Sequence, residues 1–271
     1  MARPVFILSS GRSGTFQIVS LLQLNPDLEV HHEYKFGQTL MSGVKSYMIR
    51  EFTPELKASI RSNHVVAVDS SSKKYWVDVS NALPWTLPTL VEQFPKAIFV
   101  LLVRNGRRVV SSFFHKFREE MYQPEVIESL MNWKNSRGQR GGPEDPRLWR
   151  PLPRDWRETG LSMSDRFELL CWYWAELNEY TRKNLEKSSA EFHVFRFEDI
   201  LRDRDALGHF LALFEIEPSE QHLEALSRPV NVAVPKTFPL EPDQERSFWS
   251  LCGPTMESFG YSQKDDYVVD Y

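Results

Sequence analysis

Ser9-Ser10-Gly11-Arg12-Ser13-Gly14-Thr15 lies between an apolar run, Pro4-Val-Phe-Ile-Leu8, and a segment that sets Ile18, Leu21 and Leu22 at helical spacing before Pro26. The order reads as strand, small-residue loop, helix. In such a loop several backbone N–H groups turn toward one point at the helix N-terminus, where the dipole also favours an anion. Gly11 and Gly14 permit the tight path. A Walker A loop places Lys and then Ser or Thr directly after its last glycine, so that the ammonium and Mg²⁺ meet the β and γ phosphates. Here Thr15 and Phe16 follow Gly14, and the cation, Arg12, sits inside the loop. Ser10, Gly11, Arg12, Ser13, Gly14, Thr15 and Phe16 therefore read as a cradle for an anion whose transfer needs no bound Mg²⁺.

Outward from the loop, Val65-Val-Ala-Val68 and Ala97 to Val103 are continuous apolar runs, the pattern of strands buried on both faces of a parallel sheet. Helices are expected over Thr86 to Phe94, Arg107 to Glu120, from Ser164 onward, and over Gln244 to Phe259, with a further strand at Phe192 to Phe197. Alternation of this kind favours one three-layer α/β domain over residues 1–271, a parallel sheet flanked by helices. The stretch from Arg137 to Gly160 is different, rich in Gly and Pro, with Trp149 and Trp156 among six arginines. It reads as a surface loop, and the wider segment of about 121–160 as a lid or acceptor-binding insertion.

A formal net charge of -4 gives no field for a polyanion, so nucleic acid is not an expected partner. Cys171 and Cys252 stand among apolar neighbours and read as reduced core thiols. The run Val5 to Leu8 is too short for a signal peptide, and no later run reaches membrane length, which reads as a cytoplasmic protein with no membrane partner.

Three further segments lie in suitable order along the chain. Leu101-Leu-Val-Arg104 ends a strand, and Ser112 follows eight residues on in a helix; guanidinium and hydroxyl together suit a phosphate. Arg228-Pro-Val-Asn231 with Lys236 is followed by Cys252 to Met256 and Phe259-Gly-Tyr261, while Phe195 to Leu201 forms a strand-to-helix junction. With the loop, these segments resemble the sulfotransferase superfamily that uses 3′-phosphoadenosine 5′-phosphosulfate (PAPS) and releases adenosine 3′,5′-bisphosphate (PAP). The motif pattern is most similar to the protein-tyrosine, carbohydrate and related bacterial members. The resemblance implies a fold of the P-loop-containing nucleoside triphosphate hydrolase type. It implies that the loop grips the 5′-phosphosulfate, that Arg104 and Ser112 hold the 3′-phosphate, and that Lys236 reaches the nucleotide's phosphate. It also implies a hydroxyl acceptor on a carbohydrate, a small molecule or a tyrosyl peptide.

Sulfuryl transfer requires a base and cations. In carbohydrate and tyrosine sulfotransferases a glutamate follows the second strand, and the matching residue here is Glu33; a carboxylate in a partly closed site takes up the acceptor proton. His32 is the competitor, since small-phenol enzymes use histidine, which titrates near neutrality. Register favours Glu33. His31 and His32 point opposite ways on a strand, so no metal is expected. Arg12 is the first candidate to stabilise the bridging oxygen. Related enzymes add a lysine after the third strand; Ser70 aligns there, which leaves Lys73 or Lys74 to reach in at shifted register. The alternatives are a P-loop kinase or nucleotide hydrolase, against which the missing Lys-Ser/Thr pair counts, and an inactive sulfotransferase-like binding domain.

Overall fold

The computed structural model describes residues 2–116, 121–155, 160–227 and 239–262. In chain order the elements are β1 (Arg3–Ser9), α1 (Thr15–Leu22), β2 (Leu28–His32), α2 (Phe36–Ile49), α3 (Pro54–Ile60), a π turn at Arg61–Val65, α4 (Val66–Ser70) and β3 (Tyr75–Ser80). A short 3-10 turn, Leu83–Thr86, leads into α5 (Leu87–Gln93), β4 (Ile98–Val103), α6 (Gly106–Lys116) and α7 (Pro124–Asn135). After a 3-10 turn at Pro146–Leu148 come α8 (Arg166–Glu186), β5 (Glu191–Arg196), α9 (Phe197–Arg202), α10 (Arg204–Ala212), α11 (Glu220–Ser227) and α12 (Pro242–Ser258).

The five strands form one parallel sheet in the order β2-β3-β1-β4-β5, which puts β1 at the centre and the loop after it at the sheet's C-terminal edge. Ligands of open parallel sheets bind outside that edge, where the strand order reverses. Side chains alternate between the two faces. Phe6, Leu8, Trp76, Phe99 and Leu101 enter one core cluster with α2 and α8. Val5, Ile7, Val77, Val79 and Val100 enter another with α1, α9 and α10. Helices thus cover both faces, giving the expected three-layer α/β architecture. No helix among the described residues is long and apolar enough to cross a membrane.

Two expectations fail here. Val65 to Val68 is helical, not a strand: Leu56, Ile60, His64 and Val68 are buried at intervals of four, while Val66 is 56% exposed. The third strand is instead Tyr75–Ser80, buried at every position although it carries Asp78 and Ser80. The stretch after Arg137 is also more firmly seated than a surface loop. Trp149 and Leu152 are fully buried, Lys134 Nζ donates to the carbonyls of Pro153 (2.7 Å) and Arg154 (2.6 Å), and Arg154 lies 3.8 Å over the Tyr47 ring.

Phe6 anchors the central strand among Phe94, Phe99 and Trp76 at ring separations of 5.0, 5.5 and 6.1 Å. Phe6→Ala is expected to cost about 3–5 kcal/mol of stability, measured by urea unfolding. A loss under about 1 kcal/mol would contradict this packing.

Candidate active site

Gly11, Arg12 and Gly14 all adopt left-handed backbone, with φ of 76°, 57° and 81°. Gly14 caps α1 without a side-chain hydrogen bond, so the first amides of the helix remain directed at the loop. The path leaves no room for side chains. A Cβ on Gly14 would stand 2.1 Å from the Phe197 ring, and one on Gly11 2.8 Å from Asn81 Nδ2. Ser10 and Ser13 are buried, their hydroxyls 2.9 Å apart and each 3.1 Å from the Gly11 carbonyl. Their side chains brace the loop, and Ser9 Oγ accepts the Gly11 amide at 3.2 Å. Tyr173 adds a hydroxyl donated to the Ser10 carbonyl at 3.3 Å.

Arg12 Nε donates to Ser112 Oγ at 2.7 Å, and Arg104 Nη1 donates to the Arg12 carbonyl at 2.9 Å. Residues far apart in sequence thus meet at one edge of the loop. Arg104 is fixed from behind: its carbonyl accepts Trp174 Nε1 at 3.1 Å, the next amide donates to Glu198 Oε1 at 3.0 Å, and the guanidinium lies 5.4 Å over Phe197. Arg104 Nε is buried and makes no hydrogen bond with any described residue, a donor of the kind a phosphate oxygen satisfies. Lys116, at the end of α6, has its pKa lowered by burial and by the charge of Arg12, so a further cation stands close by.

Glu33 follows β2 in left-handed backbone (φ 57°), and its amide continues the ladder to the Val79 carbonyl at 3.1 Å. Its Oε1 accepts Asn81 Nδ2 at 2.9 Å. Burial raises its pKa to about 7; the positive charge of Arg150 opposes this, Asp78 adds to it and Arg12 opposes it. A carboxyl poised there exchanges a proton near neutral pH. His32 is placed differently. Its Nε2 lies 3.1 Å from Thr15 Oγ1, its ring stacks on Phe16 at 4.1 Å, and burial lowers its pKa against the opposing charge of Asp78. Phe16 is 43% exposed and covers the imidazole from outside. His31 faces the other side of the sheet, 3.0 Å from Glu29 Oε1 and 4.9 Å from the Trp76 ring. No cluster of three potential metal ligands occurs among the described residues.

The family model described as the sulfotransferase family matches residues 4–140, which include the loop, Glu33, Arg104 and Ser112. The chain belongs to the sulfotransferase family. No curated protein matches the sequence. The fold is similar to that of the mouse sulfotransferase SULT7A1, solved in complex with PAP, at 13% identity, with 98% of this chain and 86% of that chain covered and a TM-score of 0.51. It is similar also to that of STF9 from Mycobacterium avium, at 11% identity, with 98% and 79% covered and a TM-score of 0.51. Nothing in fold or family favours the kinase, hydrolase or inactive-domain alternatives.

In this sulfotransferase the second cation does not come from the residues named for it. Ser70 ends α4, its hydroxyl bonded to the Val66 carbonyl, and Lys73 and Lys74 stand at the start of β3, the wrong edge of the sheet. Lys73 Nζ is bonded to the Pro26 carbonyl and Lys74 Nζ to Glu215. The residue after the true third strand is Asn81, a neutral donor on Glu33. Arg150 supplies positive charge at Glu33 from the stretch after α7. Sequence reasoning missed both; placing Tyr75–Ser80 as the strand would have found Asn81, whereas nothing local marks Arg150 among its neighbours. Lys236 and the segment from Arg228 to Asn231 lie outside the described residues. The Phe195 to Leu201 junction supplies Phe197, the seat of the loop, and Glu198, which also accepts the Tyr261 hydroxyl at 2.8 Å.

Two outcomes follow from this geometry. Gly14→Ala is expected to abolish nucleotide binding while leaving far-UV circular dichroism native, because the left-handed turn and the Phe197 contact both reject a Cβ. Retained binding would contradict the seat. For Glu33, a raised folded pKa means that its contribution to stability is full below about 4.5 and is lost as pH rises through about 7. Glu33→Gln should therefore be more stable than wild type at pH 8, by up to about 3 kcal/mol, and by less than about 1 kcal/mol at pH 5 in urea unfolding. An advantage that does not grow with pH would contradict the burial.

Proposed function

We propose that this sulfotransferase takes its sulfuryl group from PAPS and passes it to a hydroxyl acceptor, with Glu33 as the general base. The observation that carries the reading is a partly buried carboxyl, its pKa raised to about 7, standing beside a left-handed anion loop whose arginine is already bonded to Ser112. The donor supplies a sulfuryl group activated by its bond to phosphate.

In this reading the loop from Ser10 to Phe16 holds the 5′ end of the donor. Arg104, through its Nε, and Ser112 hold the 3′-phosphate. Arg12 lies between the two and presents positive charge where negative charge develops on the departing oxygen. Glu33 accepts the acceptor proton, and Asn81 fixes the carboxylate for that role. His32, bonded to Thr15 and covered by Phe16, shapes the loop instead. The chain is read as one domain, with 121–160 covering the acceptor side, because that segment brings Arg150 to Glu33. The acceptor is a carbohydrate, small-molecule or tyrosyl hydroxyl.

Transfer from PAPS is expected to proceed in the presence of a chelator. With any accepted phenol or sugar, kcat/KM should rise with pH through about 7 and then level, since the carboxylate is the active form. Glu33→Gln should lower kcat by about 10²–10⁴-fold. Near wild-type turnover by Glu33→Gln, combined with loss in His32→Ala, would move the base to His32.

A further inference from the structure

Glu33 and Lys35 are both left-handed without being glycine, at φ 57° and 50°, and Tyr34 lies between them. Each such residue costs about 1–2 kcal/mol, so surrounding structure must hold the turn from β2 into α2. The hold comes from beneath. Asp78, fully buried on β3, accepts the Tyr34 amide through Oδ1 at 3.0 Å. Its other oxygen, Oδ2, faces His64 Nε2 at 3.5 Å, and His64 is fully buried as well. Neither ring nitrogen of His64 and no other group among the described residues forms a hydrogen bond with that oxygen. The rings of Tyr34, His64 and Trp76 pack on one another beside this pair, at mutual separations of 5.5, 5.3 and 6.0 Å. A buried carboxyl beside aromatic rings is expensive and has no role in the loop or in the nucleotide site described above.

We propose that Asp78, backed by His64, is a positioning residue for Glu33: it clamps the left-handed turn that carries the base and sets the field in which the base exchanges its proton. The proposal rests on Glu33 being the base. The clamp is geometric, since Asp78 bonds the amide next to Glu33 and a shift of that amide would move the carboxylate off Asn81. The field follows from proximity in a dry site, where a neighbouring negative charge disfavours a second one. Other groups that face Glu33 are Arg12 from the loop after β1, Arg150 from the stretch after α7, His32 from β2 and Tyr173 from α8. Arg12 and Arg150 act in the opposite sense to Asp78, so removing Asp78 leaves burial alone to oppose the cations.

The test compares Asp78→Asn, which keeps an oxygen for the Tyr34 amide but loses the charge, with Asp78→Ala, which loses both. Asp78→Asn is expected to move the acid limb of kcat/KM down by about half a pH unit or more. Asp78→Ala is expected to lower kcat at least about tenfold while the KM for the donor stays within about threefold. A purely structural residue would leave the limb in place. In Asp78→Asn the extra stability that Glu33→Gln gives at pH 8 over pH 5 should also shrink, a readout that needs no turnover. If that increment shrinks while Glu33→Gln remains active, the base assignment fails and the field stands; if it is unchanged and the limb does not move, the proposal is overturned. Should neither Asp78 variant fold, hydrogen exchange on the wild-type protein decides: the Tyr34 amide is expected to be protected as strongly as the β3 amides, and rapid exchange would overturn the clamp.

Discussion

The site depends on how closely the loop after β1 approaches the Phe197 ring. At Gly14 there is no space for even a methyl group, and the backbone is left-handed, so one residue satisfies two constraints that only glycine meets. That contact brings the loop against the β5-to-α9 junction, and the same ring lies under the Arg104 guanidinium. Glu198, the next residue, holds the Asn105 amide and the Tyr261 hydroxyl. The loop and the arginine at the end of β4 therefore share one aromatic seat, and the residue next to it holds Tyr261.

From that frame the electrostatics follow. Cations collect at the loop, where Arg12, Arg104 and Lys116 converge although the chain carries a net charge of -4. Glu33 stands beside them, within reach of the Arg12 charge. Glu33 is pushed toward neutrality mainly by burial, and Arg150 and Arg12 restrain the effect without cancelling it. A base fully paired with an arginine would stay ionised but would hold a proton poorly. That balance suits the proposed role of Glu33, a carboxylate available near neutral pH and still basic enough to take a proton.

Much of this was legible in the sequence because the central strands are buried on both faces. β1 and β4 appear as unbroken apolar runs, and the loop and Arg104 are read off their C-terminal ends. The same rule misleads at Val65–Val68, a helical segment on which Val68 is buried while Val66 faces outward, and it passes over β3, where Asp78 and Ser80 interrupt the apolar run at fully buried positions. Those polar residues are there for reasons that lie elsewhere in the chain: Asp78 meets the Tyr34 amide, and Ser80 Oγ accepts the Ala82 amide at 3.1 Å. Misplacing β3 also sent the search for a second cation to Lys73 and Lys74, at the opposite edge of the sheet. Glu33 was found from its position after β2, but its pKa is a product of tertiary packing that no spacing reveals.

The central claim is that the loop and Arg104 recognise a nucleotide phosphorylated at both 3′ and 5′ positions. Calorimetric titration with adenosine 3′,5′-bisphosphate and with adenosine 5′-phosphate, in wild type and Arg104→Ala, tests it directly. The account predicts that the 3′-phosphate tightens binding to wild type by about tenfold or more, about 1.4 kcal/mol, and that Arg104→Ala removes most of this difference. Equal affinity of the wild-type protein for the two nucleotides would contradict it.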